Sequence, residues 1–182
     1  MQMRRRALLL ALAATPAYAQ TPRPQPIDQL FAALRLAPNE PATAAVEARI
    51  LALWDAQASP AVRLLLARGT RELGQNAPSN AFDSFDAALD LQPDLIAAWR
   101  GRAVARMRLG DATGAVHDFE QTLQREPRDF AALSDLSQLA GSRQDWPGAL
   151  AAWQRVLAIA PNTPGGAARL ADLRRRAFGD PT

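Results

Sequence analysis

Few side chains in this sequence have the types and spacing that chemistry requires. His117 is the only histidine, and Asp118 follows it directly. A His–Asp pair can relay a proton, but adjacent helical residues point about 100° apart. The spacing therefore predicts a surface histidine rather than an acid/base pair. One histidine also cannot build a multi-histidine metal site within one chain. The absence of cysteine removes thiol nucleophiles, thiolate zinc sites and disulfides together. Ser59, Ser79, Ser84, Ser134, Ser137 and Ser142 lie in no nucleophile-elbow or S-x-x-K setting. There is no phosphate-binding glycine motif, and Gly165–Gly166 after Pro164 marks a turn. Asp83, Asp86, Asp90 and Asp94 run along one helix and beyond it, a solvated face rather than a calcium loop. The expectation is a chain with no catalytic residue, metal or cofactor.

Arginine is the remaining candidate. All 21 basic residues are arginine, against 18 acids, giving a net charge of +3 and a pI near 10.8. Such basicity would ordinarily point to nucleic acid. Arg4, Arg5 and Arg6, however, open the segment MQMRRRALLLALAATPAYAQ. A positive front, an apolar run over Ala7–Ala14 and the small residues Ala17 and Ala19 predict a secretory signal over residues 1–19. The apolar run falls far short of the roughly 20 residues that span a bilayer. No cysteine follows for a lipid anchor. Without those three arginines, 18 remain to face 18 acids. The expected product is a formally neutral, periplasmic protein with no stable membrane insertion and no nucleic-acid partner. Residues 20–26, QTPRPQP, carry alternating prolines that favour an extended tether.

The clustered arginines Arg100, Arg102, Arg106 and Arg108 need elements to position them, and a repeat supplies those. Pro93, Pro127 and Pro161 are spaced by 34 residues. In register before them stand Ala81, Ala115 and Ala149, then Phe85, Phe119 and Trp153, then Leu89, Leu123 and Leu157. Leu65, Trp99 and Leu133 add a large apolar column, and Gly69, Ala103 and Ser137 a small one. Each unit predicts two helices: about 62–74 with 79–91, 95–109 with 112–125, and 129–141 with 146–159. Gly74, Gly110 and Gly141 should end the first helices in left-handed turns. Asp111 and Asp145 should cap the second helices, and Pro93 and Pro127 should open the next unit. A unit of this kind cannot bury its apolar face alone, so the units must stack.

The A-x3-F…P element on this period resembles the tetratricopeptide repeat, best in the unit with Trp99, Ala103, Gly110, Ala115, Phe119 and Pro127. The run WRGRA from Trp99 through EPRDFAAL is similar to small exported proteobacterial proteins of this kind. The resemblance implies an all-α, right-handed solenoid over residues 61–161, with units 62–95, 96–129 and 130–163. Glu72, Arg106 and Ala140 stand where that family favours tyrosine. Residues 27–60, with Leu30, Phe31, Leu34, Val46, Ile50, Leu53 and Trp54, predict a degenerate fourth helical pair completing the stack. Residues 164–182 predict a capping helix and tail, with Arg169, Arg174, Arg175 and Arg176 outward and Leu170, Leu173 and Phe178 inward.

First helices line the inner groove of such a superhelix. One stripe at helical spacing gives Arg63, Leu66, Thr70 and Leu73. A period later it gives Ala97, Arg100, Val104 and Met107, with Arg108 adjoining, and then Ala131, Ser134, Gln138 and Gly141. An apolar lining with arginines suits a peptide carrying a carboxylate. Equally, those arginines can pair with acids of the next unit such as Asp135, and the sequence leaves both open. The family's asparagine-bearing clamp for C-terminal carboxylates is not reproduced. The resemblance thus implies a non-enzymatic module holding a partner protein or peptide. Self-association in the cell envelope is the alternative.

Overall fold

Side-chain caps set where many of the helices begin. In a computed structural model, residues 26–179 are described. They form α1 (Pro26–Arg35), α2 (Glu40–Asp55), α3 (Pro60–Gly74), α4 (Pro78–Leu91), α5 (Ile96–Leu109), α6 (Ala112–Arg125), α7 (Phe130–Ser142), α8 (Trp146–Ile159) and α9 (Gly166–Phe178). No strand occurs among the described residues, and the signal and most of the tether lie outside them. Asn39, Ser59, Asp111, Asp129 and Asp145 each accept a hydrogen bond from a first-turn amide. Each such cap contributes about 1 kcal/mol.

The turns differ from expectation in two places. Gly110 is left-handed at φ 82°, but Gly74 and Gly141 remain inside their helices. Asn76 and Gln144 take the left-handed positions instead, at φ 57° and 62°. Helices α3 and α7 run past the glycine, which moves the chain reversal downstream. Pro93 and Pro127 end the preceding helices but lie in turns three residues ahead of α5 and α7. They stop helices rather than start them.

The repeated columns do the packing. Ala81, Ala115 and Ala149 are fully buried where paired helices cross. Phe85 is wedged against Gly69 and Gly101, and a Cβ on either glycine would overlap its ring. Phe119 and Trp153 occupy the equivalent buried places. Where tyrosine is missing, polar links substitute. Buried Glu72 accepts from Ser84 Oγ at 2.6 Å and from Arg68 Nε at 2.8 Å.

The N-terminal pair corrects the expectation of a stacked fourth unit. Phe31, Leu34, Ile50 and Trp54 bury themselves with Phe130, Leu133, Trp153 and Val156 of the last unit. Trp54 lies between Phe31, at 6.2 Å, and Phe130, at 6.0 Å. Polar links fix the same placement: Arg128 to Asp28, Asn162 to the Ala37 carbonyl, Thr163 to Glu47, and the Gly165 amide to Glu40. The pair therefore folds back across the inner side of the solenoid. This leaves the first repeat without a cover, and Leu64 of α3 is 74% exposed.

At the other end, α9 covers the third unit through Leu173 and a Trp153 Nε1 hydrogen bond to the Gly166 carbonyl. Two residues differ from expectation here. Arg169 turns inward, stacking on Trp153 and donating to Ser137 Oγ, while Phe178 is 79% exposed. No helix among the described residues is long and apolar enough to cross a membrane.

Candidate functional site: a mixed-charge cavity on the inner face

Stacking places α3, α5 and α7 side by side, so their inward stripes form one wall. A cavity of about 760 Å³ lies against this wall. Arg63, Leu66, Thr70 and Leu73 reach it from α3, Ala97, Arg100 and Val104 from α5, and Ala131 from α7. The returning α2 closes one side with Asp55. The structure thus brings together most of the expected stripe.

Five expected residues fall outside that lining, Gly141 at the end of α7 among them. Met107 packs against the core around Ala103 and Phe119. Arg108 turns back to donate to the Leu73 carbonyl. Gln138 is exposed, and Ser134 stands beside the residue that faces the cavity, Asp135. The α7 wall keeps the 34-residue register, since Ala67, Gly101 and Asp135 stand one period apart, as do Arg63, Ala97 and Ala131. The sequence stripe took the position three residues after Ala131 where the wall uses the one four residues after. It also missed Asp55, Ala67, Arg71, Phe85 and Gly101, which complete the lining.

Of the two expected outcomes, Arg100 follows pairing with an acid of the next unit, at Asp129 rather than Asp135. Arg100 Nη1 donates to Asp129 Oδ2 at 2.6 Å, and Asp129 is itself buried. The other oxygen of Asp129 accepts from the Ala132 amide and caps α7. The Arg100 guanidinium also lies 5.5 Å from the Trp54 ring. Arg100 is therefore committed to a structural pair. Asp135 makes no hydrogen bond or ion pair among the described residues. Burial pushes its carboxyl up to about 6, against the opposing pull of Arg100, Arg169 and Arg108 and with a smaller push from Asp129. Asp55 is raised for the same reason, with Arg100 opposing.

A second arginine group sits between α4, α5 and α6. Arg102 donates Nε and Nη2 to the two oxygens of Asp118 at 2.8 and 2.9 Å, and also reaches Asp86. Arg106 Nη1 adds a contact to Asp118 at 3.0 Å. Arg102 lies 4.8 Å from the Trp99 ring, and Arg125 approaches the same ring at 5.0 Å. His117, 58% exposed at its side chain, brings Nδ1 to 3.2 Å from Asp118. The His–Asp contact thus exists despite the angular argument against it. The shorter contacts of Asp118 are to the two guanidiniums rather than to the imidazole. Asp83, Asp90 and Asp94 are exposed, as a solvated face requires, with Asp94 also pairing with Arg125 at 3.3 Å; Asp86 is part-buried and pairs with Arg102.

No family model matches the chain. A TPR repeat-containing protein of Rhizobium etli is 28% identical over 137 residues, which is 75% of this chain and 67% of that protein. The first TPR of Spaghetti (RPAP3), bound to the HSP90 peptide SRMEEVD, superposes with a TM-score of 0.59 at 21% identity. That match covers 64% of this chain and 92% of the domain. The fold is that of the tetratricopeptide repeat. The Sgt2 TPR domain from Aspergillus fumigatus agrees, with a TM-score of 0.61 at 21% identity over 69% of this chain and 87% of that domain. In this tetratricopeptide solenoid, the inner face is crossed by the chain's own N-terminal hairpin.

Proposed function

We propose that the chain is a non-enzymatic, periplasmic interaction module that holds a peptide segment of a partner protein in the inner cavity. The carrying observation is the 760 Å³ cavity walled by the first helices of three successive repeats. It is recessed, part apolar and part charged, and so suits an extended segment better than a folded domain. The peptide-bound relative supports the same use of the fold, although fold alone does not name a partner. The signal-like first 19 residues support export, and the balance of charge beyond them argues against nucleic acid.

The test fills the cavity without disturbing its buried pairs. Thr70→Trp and Ala67→Trp project from exposed positions of α3 into the space. Partners cross-linked to the wild type in the periplasm are expected to be lost in these variants, at unchanged melting temperature. Recovery of the same partners would exclude the cavity. The mass of the exported chain, expected to begin at Gln20, checks the compartment.

Self-association has one observation in its favour. The hairpin leaves the α3 end of the stack uncovered, with Leu64 exposed. A monomer by light scattering at micromolar concentration would remove this reading.

A further inference from the structure

The cavity's charges are unevenly distributed. Its arginines that lack a carboxylate partner, Arg63 and Arg71, both stand on α3. Arg63 donates only to the Ala58 carbonyl, at 3.3 Å. Its carboxylates, Asp55 and Asp135, stand on other elements, α2 and α7. The arginine between them, Arg100, is spent on Asp129. Leu66, Ala97 and Val104 add apolar surface to the lining. The result is a two-ended site, positive along α3 and negative along α2 and α7.

We infer that the cavity selects a partner segment carrying a basic and an acidic side chain a few residues apart, the basic one seated between Asp55 and Asp135 and the acidic one against Arg63 and Arg71. This rests on the reading that a peptide occupies the cavity. It reverses the polarity suggested by the sequence, where Arg100 was the candidate grip for a carboxylate. A cation is the better partner for Asp135, because that part-buried carboxylate lines the cavity and accepts no hydrogen bond from the described residues. A guanidinium or ammonium would satisfy it, and arginine would do so bidentately.

Protonation gives the site a signature. The charged groups facing Asp135 are Arg100 and Arg108 from α5, Arg169 from α9 and Asp129 at the start of α7. The arginines keep their charge throughout the accessible range. Asp135, at about 6, changes state near neutrality. A basic side chain prefers the ionised carboxylate, so its advantage is present at pH 7.5 and declines through pH 6 to 5.

The experiment uses the mature chain and fluorescein-labelled octapeptides on an alanine, serine and leucine background. One set carries Arg and Glu two to four residues apart, and the others carry Arg alone, Glu alone or neither. Polarisation titrations should give the mixed-charge set about tenfold tighter binding than either single-charge set at low salt. Asp135→Asn should abolish the benefit of the Arg, and Arg71→Gln that of the Glu, each leaving the other intact. Binding that is lost in Thr70→Trp but shows no charge preference would overturn this inference and leave the module standing. Preference for the Glu-only peptides would overturn it too. Absence of binding by every peptide would overturn both readings. A concentration-dependent dimer lost in Asp135→Asn would assign the cavity to a second copy and likewise overturn it.

Discussion

Asp118 and Asp135 lie one repeat boundary apart among arginines, the first fully buried and the second part-buried. Asp118 is 0% exposed, yet Arg102 and Arg106 saturate it. Asp135 has arginines nearby on two elements, but each points its donors elsewhere: Arg100 to Asp129, Arg108 to the Leu73 carbonyl and Arg169 to Ser137. One residue type in similar company thus has two roles. What separates them is whether the neighbouring guanidiniums are already committed. The saturated carboxylate welds α5 to α6, and the unsatisfied one is left facing a cavity.

The contrast makes opposite predictions for the same chemical change. Asp118→Ala should have the largest effect, a loss of about 3 kcal/mol in urea unfolding, because two part-buried guanidiniums lose their shared buried carboxylate and keep only the more exposed Asp86 and Asp111. If the loss were below about 1 kcal/mol, the weld would not be structural. Gly101→Ala comes next. The added methyl overlaps the Phe85 ring, and such overpacking costs about 1–3 kcal/mol.

Asp135→Asn should go the other way. A carboxyl raised from its ordinary 3.8 to about 6 holds its proton longer in the folded state than in the unfolded one. Stability therefore falls as pH rises through that window and levels off above it. The asparagine is expected to raise stability by about 1–2 kcal/mol at pH 7.5. The gain should shrink towards zero near pH 4, as pH-dependent thermal melts would show. A destabilised variant at pH 7.5 would place Asp135 in the same class as Asp118. His117→Ala should have the smallest effect, within about 0.5 kcal/mol, since its contact is exposed and its partner already held.

The repeat itself was legible because its columns are local and periodic. Alanines at crossings, the aromatic wedge and the capping aspartates each need only a position within one unit. Gly74 and Gly141 misled because glycine permits a left-handed turn without requiring one, and asparagine and glutamine accepted it two or three residues later. The destination of α1 and α2 was not legible. Phe31, Leu34, Ile50 and Trp54 announce an apolar face by spacing, but spacing does not say which neighbour covers it. Covering Phe130 and Trp153 won over stacking on α3. The choice among arginine partners was hidden for a related reason. Arg100 can reach Asp129 or Asp135 only through the twist between units, which no single repeat encodes.

The central claim is that Asp135 is the carboxylate this fold leaves available. Carbon-13 NMR of the side-chain carboxyls, recorded across pH with and without a saturating mixed-charge peptide, tests it directly. The account predicts that Asp135 titrates near 6 in the free chain and falls into or below the ordinary aspartate range of about 3.9 when the peptide is bound. The Asp118 signal should not respond to peptide. An Asp135 titration that stays where it is while the peptide saturates would contradict the claim.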